Sequence, residues 1–344
     1  TRRAVRQAVL ARRQLLLLCV TWNQQARPAP EGADLRAALF GEERYQLVAV
    51  GAQECENGFA KSLVVTSKKN WEGQVQEALG PNYFKVGAHT LQATHLALFA
   101  HKGLKGLISG VASAAVPTGV GNRLGNKGGV AIRCAVGATR LLLVTAHLAA
   151  HAGNAPERNR QYHRIARDLH RTFTGQAVAE GERPLISHFD HVVWGGDLNY
   201  RIDAAREAVD EALQRDLHPV LLEYDELYQQ MDAKRAFAGY KEGPLNFRPT
   251  YKFDKGADSY DSGPKRRVPS WTDRILYKKE SGLRLLAYNS APGLRTSDHR
   301  PVYAAFLCPL RGLADPAADA AAAAAQQQGQ QRKYAYEEPP RQRP

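Results

Sequence analysis

Apolar runs too short for helices recur along the chain: "LLLLCVTWN" (15–23), "QLVAVGAQE" (46–54), "KSLVVT" (61–66), "HLALFA" (95–100) and "GGVAIRCA" (128–135). They continue with "RLLLVTAH" (140–147), "HVVWGGD" (191–197), "DRILY" (273–277), "LRLLAY" (283–288) and "PVYAAFL" (301–307). Their length and aliphatic content predict buried strands. Elsewhere the apolar positions shift to helical spacing. Residues 156–173 align Tyr162, Ile165, Ala166, Leu169 and Phe173, with Pro156 near the start. Residues 71–80 and 203–216 predict two more helices, the second with Asp203 as N-cap. Strand pairs with few helices between them predict an α/β fold, a two-layer β-sandwich flanked by helices.

Two stretches break this rhythm. Residues 246–270 carry many charges and no regular pattern, and so long a loop inside a compact domain is expected to be functional or disordered. The end of the chain, "LADPAADAAAAAAQQQGQQRKYAYEEPPRQRP", is low-complexity and expected to be disordered.

Composition changes this picture little. The chain has 344 residues, 44% hydrophobic and 24% charged, which fits a soluble globular protein. It contains no apolar run long enough to span a bilayer. The basic start, "TRRAVRQAVLARRQ", lacks the apolar stretch and small-residue cleavage site of a secretory signal. Cys19, Cys55, Cys134 and Cys308 are widely spaced, which argues against zinc or a disulfide framework and fits a reducing, cytoplasmic setting. The net charge of +13 implies an anionic partner, whether nucleic acid, phospholipid headgroups or a phosphorylated small molecule.

The chemistry collects at strand ends. Asn23, Glu54, His147 and Asp197 close apolar runs, with Asn199 just beyond the last. Asp273 opens a strand, and Asp298 and His299 immediately precede the final one. Singly, each is more simply a turn, surface or core residue. Together they place hard oxygen ligands, amides and imidazoles where α/β folds build sites. Carboxylates with few imidazoles suit Mg²⁺, and Glu54 is the best direct ligand. A carboxylate beside a histidine orients the ring and stabilises its cation. A second carboxylate can position water for in-line attack on phosphorus.

The ordered motifs "GNKGGV", "GDLNYR", "PTYKFD", "SWTDRIL" and "SDHRPV" resemble the inositol polyphosphate 5-phosphatase family. Its wider group includes deoxyribonuclease I and exonuclease-III-type endonucleases. The resemblance spans residues 15–310. It leaves a basic N-terminal extension (1–14) and the tail (311–344) outside a single catalytic domain. It implies a deoxyribonuclease I-like sandwich and Mg²⁺-dependent removal of a 5-phosphate by direct water attack. No Cys-x5-Arg phosphatase motif is expected in the chain to supply a thiolate. The family's roles fall on particular residues here. Glu54 would bind the metal, Asn23 would help fix the metal or the scissile phosphate, and Asp298 would sit beside the metal. Asp197 would activate water, and Asn199 would hydrogen-bond the transition state. His299, oriented by Asp273, and His147 would contact the scissile phosphate.

Two basic loops carry the implied specificity. Tyr251 and Lys252 of "PTYK", with Lys265 and Arg267 before "PSW", match the positions that bind the phosphate next to the one removed. Asn126 and Lys127 match the site for the phosphate linking the ring to diacylglycerol. Arg123 stands where the family often has Lys, which leaves its role open. Residues 102–121 mix Lys with Leu, Ile and Val and read as a loop that dips into an anionic bilayer. The expected partners are a phosphoinositide or soluble inositol phosphate and an anionic membrane surface met peripherally, not nucleic acid. The alternatives are an endonuclease of the same wider group and an inactive lipid-binding module.

Overall fold

The computed structural model describes residues 1–41, 45–56, 68–119, 126–178 and 184–313. The run predicted at 61–66, Arg123, and the tail beyond 313 lie outside these residues. The described chain forms two six-stranded sheets packed face to face. In chain order come α1 (Arg2–Arg12), β1 (Gln14–Asn23), α2 (Gly32–Leu35, extended by a π turn), β2 (Leu47–Gln53) and α3 (Lys69–Leu79). Next are β3 (Tyr83–Leu91), β4 (Thr94–His101), β5 (Ile108–Pro117), β6 (Gly128–Val136), β7 (Thr139–His147), α4 (Ala155–Thr174) and β8 (His191–Asp197). Three short helices follow: α5 (Arg206–Gln214), α6 (His218–Leu222) and α7 (Glu226–Asp232). Strands β9 (Tyr240–Glu242), β10 (Asp273–Lys278), β11 (Arg284–Ser290) and β12 (Val302–Pro309) complete the body.

One sheet runs β11-β12-β1-β2-β4-β3 and the other β5-β6-β7-β8-β10-β9. Each contains one parallel pair, β1 with β2 and β7 with β8, among antiparallel neighbours. Both faces of the central strands are covered, so their sequences read as unbroken apolar runs. Leu15, Leu17 and Cys19 point between the sheets, against a layer including Ile132, Leu143 and Ile275. Leu18, Val20 and Trp22 point outward under Trp71 and Val75 of α3. The apolar face of α4 covers Leu142, Val144, Val192 and Trp194 of the second sheet.

This arrangement carries the site directly. Two parallel strands that start together also end together. Register pairs Asn23 with Gln53, His147 with Asp197, and Asp197 with Asp273. The ends of five strands, β1, β2, β7, β8 and β10, therefore meet at one rim of the sandwich. Gly196 permits the approach: at its φ of 146°, a Cβ would lie 2.0 Å from the Ala146 carbonyl oxygen.

Several expectations need correction. Residues 102–117 do not form a loop over the site; Thr118 and Gly119 do reach the cavity beside Lys127, and residues 120–121 lie outside the described residues. Lys102 and Lys105 sit in a short turn at the opposite strand ends, against α1, and 108–117 form the edge strand β5. β3 was missed because Lys85, His89 and Thr90 break its apolar pattern. The helix predicted from 203 begins at Arg206, and Ala205 rather than Asp203 precedes it. The N-terminal segment folds as α1, with Val9 buried. The body extends to Leu313, which is buried, and Arg311 bonds Ala138 and Thr139. No helix among the described residues is long and apolar enough to cross a membrane.

Candidate active site

A cavity of about 200 Å³ opens at this rim. It is lined by Asn23, Glu54, Lys127, His147, Asp197, Asn199, Tyr251, Arg267, Asp298 and His299, all expected from sequence. Gln25, Ala150, His151 and Arg201 complete its wall. Asp273 lies behind His299, and Asn126 lines an adjoining cavity shared with Lys127. Lys252 reaches Asp298 at 4.0 Å. Lys265 is exposed on the 246–270 stretch and does not line the cavity.

Asp197 is the centre. The Asn23 amide donates to its Oδ2 at 2.9 Å, and His147 Nε2 lies 3.3 Å from the same oxygen. The Asn199 backbone N–H donates to Oδ1 at 3.2 Å. Burial opposes ionisation here, but His147, then His299 and Lys127, outweigh it and hold the carboxyl well below its usual range. Asp197 is thus an ionised, oriented acceptor.

His299 is arranged in the opposite sense. Its Nδ1 donates to Asp273 Oδ2 at 2.8 Å, and Thr250 and Thr272 also donate to that oxygen. Burial alone would drive the ring neutral. Asp273, with Asp197 and Asp298, overrides burial and pushes His299 up to about 10. At neutral pH the ring is an imidazolium pinned on one side, with Nε2 left for the cavity. Burial pulls Lys127 down from the usual lysine range, against the attraction of Asp197 and Glu54.

Backbone conformation also concentrates here. Gln25, Glu54 and Asn199 all have φ between 48° and 59°. Non-glycine residues adopt this region at a cost that surrounding contacts must offset.

Asp197, Asp273 and His299 bring ligand-type atoms within 4.8 Å of one another. That trio is poorly suited to a cation, because its own imidazolium already fills it. The oxygen set on the cavity wall, Glu54 and Asp298 with the Asn23 carbonyl, fits a hard divalent ion better. Sequence reading found these residues and missed Arg201. Arg201 donates to Asn199 Oδ1 and stacks over Tyr251, 4.5 Å from the ring centroid. It ends the "GDLNYR" motif, which was the available signal.

The chain does contain a Cys-x5-Arg spacing, Cys134 to Arg140, contrary to expectation. It supplies no thiolate. Cys134 is buried between the sheets and burial pushes its thiol up to about 12, while Arg140 is the second residue of the next strand.

The chain matches endonuclease/exonuclease/phosphatase family 2 over residues 20–305. It is 31% identical to the solved inositol polyphosphate 5-phosphatase domain of SpSynaptojanin, covering 90% of this chain and 91% of that one, with a TM-score of 0.74. This chain belongs to the inositol polyphosphate 5-phosphatase family. The SpSynaptojanin domain was crystallised with inositol (1,4)-bisphosphate and a calcium ion. Among 5-phosphatase relatives, the Homo sapiens phosphatidylinositol polyphosphate 5-phosphatase type IV is 32% identical over 87% of this chain. The Schizosaccharomyces pombe inositol-1,4,5-trisphosphate 5-phosphatase 1 is 40% identical over 70% of it. The chain matches 47% and 22% of those two proteins, half their length or less. A Cimex nitrophorin shares the 5-phosphatase fold at 23% identity and a TM-score of 0.67, which speaks to fold alone.

Proposed function

We propose that this chain is a Mg²⁺-dependent 5-phosphatase of phosphoinositides such as the 4,5-bisphosphate and 3,4,5-trisphosphate, and of soluble inositol polyphosphates. The observation that carries this reading is one cavity joining an oriented carboxylate, a pinned imidazolium and a cationic wall. Asp197 holds the attacking water in line with phosphorus. His299 and Asn199 donate to phosphoryl oxygens as charge shifts onto them. The water oxygen bonds phosphorus and the P–O bond to the ring breaks. The products are a ring alcohol and inorganic phosphate. Glu54, Asn23 and Asp298 are the residues that would hold Mg²⁺, which supplies charge neutralisation at the phosphoryl group. Tyr251, Lys252 and Arg267 receive the neighbouring phosphate, with Lys265 reaching in from outside the cavity, and Asn126 and Lys127 the phosphodiester.

The expected setting is the cytoplasmic face of an anionic membrane. With Lys102 and Lys105 at the far end of the sandwich, the cationic rim of the cavity is the surface that would meet it.

The test is phosphate release from a panel of lipid and soluble inositol phosphates, with and without Mg²⁺, beside nicking of plasmid and abasic DNA. The expected result is Mg²⁺-dependent release and no nicking. Asp197→Ala should lower release by about 10²–10⁴-fold. DNA cleavage without phosphate release, or full activity of the variant, would overturn the reading.

A further inference from the structure

Asn199 is held by two contacts on either side of its amide. Its Nδ2 donates to the Leu148 carbonyl at 3.0 Å, and its Oδ1 accepts from Arg201. Asn199 itself lines the cavity, and its second Nδ2 hydrogen is not used by the Leu148 contact. The two holding segments come from different parts of the fold, the 148–151 turn after β7 and the 199–201 turn after β8.

Both segments are fastened by one buried guanidinium that does not touch the cavity. Arg158, on the first turns of α4, is 0% exposed. Its NH1 donates to the carbonyls of Ala149 at 3.1 Å and His151 at 2.8 Å. Its NH2 donates to Glu226 Oε2. That same carboxylate oxygen accepts the Arg201 backbone N–H at 2.8 Å, and the Glu226 N–H returns to the Arg201 carbonyl at 2.9 Å. The guanidinium also lies over the Tyr200 ring, 5.1 Å from its centroid. A planar fork with several donors can bridge two turns and a carboxylate at once, which an ammonium cannot do.

We infer that Arg158, acting through Glu226, is a positioning residue for Asn199. It locks the two turns that orient this amide toward the reacting phosphoryl group. Its catalytic meaning rests on the 5-phosphatase reading above, whereas its structural content does not. A group held by outer contacts loses precision when they go, and misplacement of about 1 Å can cost 10²-fold in rate.

The test replaces both charges together, Arg158→Met with Glu226→Gln, so that no buried charge is left without a partner. Turnover of a soluble inositol polyphosphate should fall about 10–100-fold in kcat with KM nearly unchanged, since the substrate cations stay in place. In an Asn199→Ala background the same pair should cost nothing further, because the residue it positions is gone. A second readout needs no turnover. In protein labelled with ¹⁵N-asparagine, the Asn199 side-chain amide, assigned by its loss in Asn199→Ala, should be slow to exchange with solvent in the wild type and fast in the paired variant. Slow exchange retained in the variant, or an additive kcat loss in the Asn199→Ala background, would overturn the inference. A wild type without turnover would sink only the functional reading, because amide exchange still decides the positioning role.

Discussion

Asp273 and Arg274 are neighbours on β10, and each anchors a buried cluster of opposite charges. Asp273 faces His299, with Asp197 close by. Arg274 faces the other way. Its NH1 meets Asp225 at 2.9 Å, and its Nε and NH2 meet Glu242 at 2.8 and 2.6 Å. Both clusters pair a buried cation with carboxylates, two around Arg274 and three around His299. They differ in what the cation can do. The guanidinium cannot surrender a proton, and the two carboxylates occupy its fork. The imidazole can exchange a proton, keeps one nitrogen for the cavity, and borders space for a ligand. A buried charge cluster thus points to chemistry when its cation is titratable and a cavity adjoins it, and to architecture when neither holds.

Asp273→Asn is the sharpest way to break this comparison. The side chain keeps its size, but an amide cannot hold the imidazolium, and its NH₂ would oppose the Nδ1 proton. Turnover should fall about 10²–10⁴-fold while the protein stays folded by circular dichroism. Near-normal turnover would mean that the His299 cluster is architectural too. Arg274→Met probes the other side. It strands Asp225 and Glu242, and such losses cost about 3–5 kcal/mol in stability, readable from urea unfolding. Activity per folded molecule should barely change. A folded Arg274→Met protein without turnover would erase the distinction.

The two clusters also differ in how far sequence revealed them. Asp197, Asp273 and His299 stood out only as a set, because several polar residues recur at the ends of apolar strands where each alone would read as a turn or core residue. Parallel pairing of β1 with β2 and β7 with β8 then brought those ends together, as the sandwich required. Asp225, Glu242 and Glu226 left no comparable signal, and Arg158 lies in "ERNRQY", which fits the family resemblance but carried no role. Their partners are 49, 32 and 68 residues away in sequence, and each looks locally like an ordinary surface charge. Residues 102–117 misled for the converse reason. Apolar and basic residues lie adjacent in sequence there, yet the strand β5 carries the apolar part away from Lys102 and Lys105. Arg201 sat inside a recognised motif, but its grip on Asn199 depends on a left-handed backbone turn that composition does not announce.

A third, more exposed cluster supplies the weak limit of the comparison. Glu72 on α3 lies 3.3 Å from His95 Nε2 and also pairs with Lys85 on β3. His95 first, and then Lys85, hold the Glu72 carboxyl at about 2, below its ordinary 4.5, against the opposing effect of burial. A lowered carboxylate contributes stability above its unfolded pKa and loses it as pH falls toward the folded one. Glu72→Gln should therefore destabilise the protein at pH 7 by no more than about 1 kcal/mol, since solvent screens the pair with Lys85. The difference from wild type should shrink between pH 4.5 and about 2, measured by urea unfolding across that window. A gap that stayed constant down to pH 2 would mean that Glu72 acts through packing, and that proximity of charges on this face carries no electrostatic stability.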